Sequence, residues 1–228
     1  MFRRTRRLAL ISAIAASAIV LTACAGAAEP ETTEPVGEPD PDATLQVGLV
    51  LEPTNLDIRH TSGAALEQIL IDNIYEGLIS RTQENEIVPR LASDYEVSED
   101  GLTYTFTLNE GITFHSGTAL TSADVVSSYE AVRTDATLQG NAEFASVASI
   151  TAPDPTTVQI VLTAPNQNFL FSLTGPAGLV FQTGDTTDLK TAENGTGPFT
   201  LTRWNKGSAI TFARNEAYWG CLLYTSPS

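Results

Sequence analysis

Leu102, Tyr104, Phe106 and Leu108 alternate with Thr103, Thr105 and Thr107. A strand sends successive side chains to opposite faces, so this stretch reads as a half-buried strand, apolar on one side and hydroxylated on the other. Asn109, Glu110 and Gly111 interrupt the alternation, and Ile112, Thr113 and Phe114 resume it before Ser116 and Gly117. The spacing predicts a hairpin with a short return strand. A helix is predicted to follow at once, with Thr121 as its N-cap, Asp124 at the third helical position, and Val125, Tyr129 and Val132 on one face.

Upstream, Leu45, Val47, Leu49 and Leu51 alternate with small or polar residues and predict a first strand, ended by Pro53. Ser62 and Gly63 then precede a helix built on Leu66, Ile69, Leu70 and Ile74, with Ser62 placed to cap it and Gly77 placed to stop it. Downstream, 146–152 and 157–162 flank a turn made by Pro153, Asp154, Pro155 and Thr156, a second hairpin. Phe169, Leu170, Phe171 and Leu173 predict a short helix packed on that sheet, and 185–193 reads as a polar connection. Gly195 and Gly197 lie in a tight turn where Pro198 blocks a helix, so they form no phosphate-binding loop.

At the N-terminus, Arg3, Arg4, Arg6 and Arg7 precede an apolar run from Leu8 to Val20, shorter than the roughly 20 residues a spanning helix needs. The pattern is that of a signal peptide over 1–23. Leu21, Thr22, Ala23 and Cys24 resemble the lipobox of bacterial lipoproteins, which implies acylation of Cys24 and a stable membrane anchor. Residues 24–43 are rich in Glu, Asp, Pro and Thr and free of aromatic residues, the composition of a disordered linker. The net charge of −15 becomes −19 once the four arginines before Cys24 are removed, which argues against nucleic acid as a partner. Two cysteines, Cys24 and Cys221, give no disulfide framework.

Three ordered stretches carry a wider resemblance. DGLTYTFTL, GITFHSGTAL and TSADVVSSYE within 100–130, IVPRLA at 87–92, and GTGPFTLTRWNKGSAITFARNEAYWG at 195–220 resemble the family 5 extracytoplasmic solute-binding proteins, the peptide, oligopeptide and nickel binders of ABC importers. The departures are Asn109 where a basic residue is common, Ser116 in place of Asp, and Glu216 where Pro is frequent. The resemblance implies an α/β, periplasmic-binding-protein-like fold (type II, cluster C-like). Residues 44–220 would be its first lobe, with a mixed sheet, and the second lobe would be missing. Within the lobe, 44–80 and 191–220 would pair in a ligand-facing subdomain and 81–190 would form an inserted, hairpin-rich outer subdomain. CLLYTSPS at 221–228 departs from the pattern and reads as a non-native tail.

The family's loop before its first helix lines the ligand cleft, which carries over to Thr61, Ser62, Gly63 and Ala64. The resemblance also implies two lobes closing over a peptide or related small solute, delivery to ABC permease subunits, an extracytoplasmic and monomeric protein, and no cofactor or metal. No GxSxG elbow or HExxH helix is present, and His60 and His115 are the only histidines. A hairpin-flanking histidine such as His115 is expected to be solvated or hydrogen-bonded rather than catalytic. A surface lipoprotein that senses or adheres, or a secreted hydrolase, remains as the alternative reading.

Overall fold

The computed structural model describes residues 43–220; the signal peptide, Cys24, nearly all of the linker and the 221–228 tail lie outside the described residues. From Val47 onward the described residues make one compact unit. Its elements are α1 (Ala64–Leu70), β1 (Ile79–Arg81), β2 (Ile87–Pro89), β3 (Ala92–Val97), β4 (Thr103–Leu108), α2 (Ser122–Thr134), β5 (Val147–Asp154), β6 (Thr157–Leu162), α3 (Phe169–Ser172), β7 (Phe199–Asn205) and β8 (Ala209–Arg214).

The alternation that opens the sequence becomes β4, an inner strand of a four-stranded sheet ordered β3-β4-β6-β5. Tyr104, Phe106 and Leu108 are buried, and Phe106 lies opposite Val158 and Tyr104 opposite Ile160. Against this face packs α2, whose Val125, Tyr129 and Val132 are buried as their spacing requires. Removing each large apolar group of this kind from water stabilises the fold by about 1.5–3 kcal/mol. The helix starts in a capping box: the Thr121 backbone N–H donates to the Asp124 carboxylate at 2.9 Å. Phe169 of α3 closes the core against Tyr104 and Phe144, with ring centroids 5.0 and 6.0 Å apart. The outer strands β3 and β5 each carry a register irregularity.

A second apolar cluster joins Leu56, Ile58, Leu66, Leu70, Ile74, Tyr75 and Leu179, with Leu201, Trp204, Ile210 and Phe212 of the β7–β8 hairpin packed on it. A register shift between Leu201 and Arg203 lets Leu201 and Trp204 both reach that cluster.

Several local expectations are corrected. No strand forms over 45–51, where Val47, Val50 and Leu51 are exposed; a strand needs a neighbour to take its N–H and C=O groups, and no described strand runs beside it. Every ladder among the described strands is antiparallel rather than mixed, and β7 and β8 pair only with each other. Ile112–Phe114 do not return along β4, because β3 and β6 occupy both of its edges. Instead Thr113 bridges Ala119 in a small loop of its own. α1 stops at Leu70, where Asp72 turns the backbone with φ 61°, and Ile74 is buried by that turn instead of by helix. Gly77 serves close approach: a Cβ there would lie 2.8 Å from the Gly178 carbonyl oxygen.

Candidate functional site

The loop ahead of α1 is braced from within by short side chains that mimic backbone turns. Asn55 Oδ1 accepts from the Asp57 N–H at 2.9 Å and from Thr61 Oγ1 at 3.1 Å. Asp57 in turn accepts from the Arg59 N–H at 3.1 Å, and its other oxygen lies 2.9 Å from His60 Nδ1. The Arg59 guanidinium sits 4.9 Å above the Phe181 ring, and its carbonyl accepts from the Gln139 N–H at 2.7 Å. Held in this frame, Thr61 is half-buried and Ser62, Gly63 and Ala64 are exposed. Gly63 rather than Ser62 takes the N-cap position, and the helix start has no hydrogen bond from a capping residue's side group. The capping role expected of Ser62 is therefore not filled, and Ser62 stands exposed on a stiff loop. Sequence reasoning missed the bracing residues Asn55, Asp57, Arg59 and Gln139; the Asn-x-Asp spacing was the available signal for two of them.

A second constellation lies in the core. Glu76 is fully buried, and four donors from three segments converge on its carboxylate. Arg90 Nε lies 2.7 Å from Oε1, which also accepts from the Tyr218 hydroxyl at 2.8 Å. Oε2 accepts from Thr196 Oγ1 at 2.9 Å and Trp219 Nε1 at 3.1 Å. Burial pushes the Glu76 carboxyl above the ordinary range, against the pull of Arg90 and the three hydrogen bonds. Arg90 comes from IVPRLA, Thr196 from GTGP, and Tyr218 and Trp219 from AYWG. Two of the stretches that carry the resemblance thus meet at one buried charge.

Beside it, Gly195 and Gly197 let their segment lie directly on the turn after α1. Gly197 N–H donates to the Ile74 carbonyl at 2.9 Å and Phe199 N–H to the Asn73 carbonyl at 3.0 Å. His115, expected to be solvated or hydrogen-bonded, is buried against the same segment, paired through Nδ1 with Glu193 and through Nε2 with the Gly197 carbonyl at 2.9 Å. Both ring nitrogens are occupied, which leaves none for general-base work. Burial opposes a charge on His115, but the Glu193 carboxylate and the Gly197 carbonyl outweigh it and raise the imidazole's pKa. A raised folded pKa contributes stability that is fully present below the unfolded value and is lost as pH rises through the folded value. Chemical denaturation of His115→Gln against the parent should therefore show a larger deficit at mildly acidic than at alkaline pH; a deficit independent of pH would show that the pair carries no charge.

A shallow depression of about 280 Å³ lies by Thr191–Glu193 and Leu201–Trp204 and another of about 360 Å³ by Thr121–Ala123, Ala152, Asp154 and Pro155, neither lined by Thr61–Ala64. Among the described residues no three His, Cys, Asp or Glu side chains gather as metal ligands.

Residues 86–225 match the family of bacterial extracellular solute-binding proteins, family 5, middle region. The protein belongs to this family. A glutathione-binding protein GsiB from Pectobacterium atrosepticum is 30% identical over 183 residues, 78% of this sequence and 35% of the relative. Among solved structures, the binding protein AgaA in complex with agropinic acid, from A. tumefaciens R10, superposes with a TM-score of 0.68 at 30% identity, covering 74% of this protein and 35% of that one. DppA from Helicobacter pylori in complex with the peptide STSA gives 0.66 at 26% identity, covering 75% and 38%. The sequence spans about a third of the length of these relatives. The fold is accordingly α/β and periplasmic-binding-protein-like, as a part of a first lobe. In this member of family 5, Arg90, Thr196, Tyr218 and Trp219 of the resembling stretches pack around Glu76, while the loop carried over as ligand-facing lies apart from them in sequence.

Proposed function

We propose that this protein is the first lobe of the substrate-binding lipoprotein of an ABC importer, capturing peptides outside the membrane and delivering them to the permease. The observation that carries the reading is the braced loop. Thr61, Ser62, Gly63 and Ala64 stand on a frame of hydrogen bonds, two of them hydroxylated and one with no Cβ, which suits close approach to a ligand main chain. Residues 44–80 with 191–220 form the ligand-facing part in this reading, and 81–190 the outer part. A second lobe closes over the ligand, and the closed form docks on the permease. Cys24 carries the lipid that keeps the protein at the outer face of the cell membrane or in the periplasm.

Peptides lead the substrate reading because one solved relative holds a peptide. A Cβ added at Gly63 meets nothing within 4 Å, so valine displaces no neighbour, but the backbone φ of +158° there is one that residues with a Cβ rarely adopt. In the protein extended by its second lobe, calorimetric titration with short peptides should show Gly63→Val weakening binding about tenfold, the scale of a modest steric conflict of ~1–3 kcal/mol. Thermal unfolding should show a loss of about 1–3 kcal/mol from the strained backbone at residue 63, with the folded fraction still intact at the temperature of the titration. Equal affinity in the two proteins would remove the loop from the site, and a failure of every peptide to bind would remove the substrate class.

A further inference from the structure

We infer that Asn194–Gly195 is a latent deamidation site that the native fold holds shut. It is the sole Asn-Gly pair in the sequence. Packing imposes both residues. A Cβ on residue 195 would lie 1.8 Å from the Ile74 carbonyl oxygen and 3.2 Å from the Tyr75 ring, so only glycine fits. Residue 194 is buried and must donate and accept together. Asn194 Nδ2 donates to Gln182 Oε1 at 2.8 Å and Asp185 Oδ2 at 3.0 Å, while Oδ1 accepts from the Ser116 N–H at 3.0 Å. Aspartate could accept but not donate. Two separate packing requirements therefore create the dipeptide most open to succinimide chemistry, since a following glycine leaves its amide nitrogen unshielded.

In that reaction the Gly195 nitrogen attacks Cγ of Asn194. The new N–Cγ bond forms as the bond from Cγ to Nδ2 breaks, and the nitrogen's proton leaves with the amide group as ammonia. Water then opens the cyclic imide at either carbonyl, giving aspartate or isoaspartate, with no change of oxidation state. In the native protein both ends of the Asn194 amide are pinned and the Gly195 N–H donates to Glu193 Oε2 at 3.2 Å. Nitrogen and Cγ meet only if this network opens. Once made, the product is incompatible with the fold: a carboxylate at 194 would face Asp185 where Nδ2 now donates, and isoaspartate would add an atom to the backbone just before the contacts of Gly195 and Gly197 with 73–74.

The test is peptide mass spectrometry of the purified protein, incubated at mildly alkaline pH in native buffer and in denaturant, following the mass gain of amide-to-acid conversion at Asn194. The native rate should be at least ~tenfold below the denatured rate, because reaction waits on local opening. Gln182→Ala, checked for a native melting transition, removes one hydrogen bond from the Asn194 amide and one from Ser116 Oγ, and should raise the native rate about fivefold, the effect of the bond lost at Asn194. Equal rates in the wild-type protein overturn the proposal without recourse to any variant, and an unchanged rate in a folded Gln182→Ala protein overturns the locking role. Protein aged in denaturant and then refolded should leave its modified fraction outside the native transition; full recovery overturns the claim that the product is excluded.

Discussion

Glu76→Ala should remove about 3–5 kcal/mol of stability, because three hydrogen-bond donors lose their acceptor at about 1–3 kcal/mol each, while Arg90, a third of it in solvent, adds less. The deletion would strand Arg90, Thr196, Tyr218 and Trp219 at once, four donors from three sequence-distant segments. Measured against a typical total of roughly 5–15 kcal/mol, such a loss leaves the lobe marginal at best. Glu76→Gln keeps the shape and one acceptor, so denaturant midpoints should fall in the order parent, Gln, Ala. A stability for the alanine variant within about 1 kcal/mol of the parent would mean that the convergence on Glu76 is incidental to stability.

Gly195→Ala should cost about 3 kcal/mol, the upper part of the range for overpacking, because the new methyl would fall 1.8 Å from a backbone oxygen that cannot swing aside. Relief would require the 195–199 segment to lift away from Asn73 and Ile74, surrendering the backbone bonds of Gly197 and Phe199 and the one from His115 N–H to the Gly195 carbonyl. Gly207→Ala is the matched control. It has φ +75° with nothing within 4 Å of a Cβ, so it should cost only about 1 kcal/mol of left-handed backbone strain. Thermal melts of the pair separate the two mechanisms, and equal losses would show that close approach at Gly195 is not what matters.

The elements legible in the sequence were those whose signals are local. β4, the β5–β6 hairpin and α2 follow from alternation, a proline-bounded turn and a capping box, each contained within a few residues. Where partner choice decided, local reading failed. Ile112–Phe114 resemble a return strand, but β4 pairs with β3 and β6, which take both of its edges. Leu45–Leu51 alternate as a strand should, yet alternation supplies no neighbour. At α1, Ile74 keeps helical spacing past the true end because a turn buries it as well as a helix would.

The candidate loop Thr61–Ala64 came from the resemblance and not from residue chemistry, while its supports at Asn55 and Asp57 are short-range Asx turns that the sequence did display. The Glu76 hub was illegible for a different reason. A glutamate in an apolar run carries no mark of which arginine, threonine or aromatic donors will reach it across the fold, and His115 and Glu193 likewise find one another across a long stretch of sequence.

The four-stranded sheet ends in β3 on one side and β5 on the other, and neither edge is a clean template. Between Ala92 and Asp94 the register slips, and Asp94 and Glu96 stand exposed along the same strand. β5 slips twice, and Pro153 removes a donor near its end. An open row of N–H and C=O groups invites pairing with another protein, and irregular spacing, like charges and a missing donor each discourage it. The lobe therefore meets crowded surroundings with both margins of its main sheet already unfit for edge-to-edge growth into aggregates.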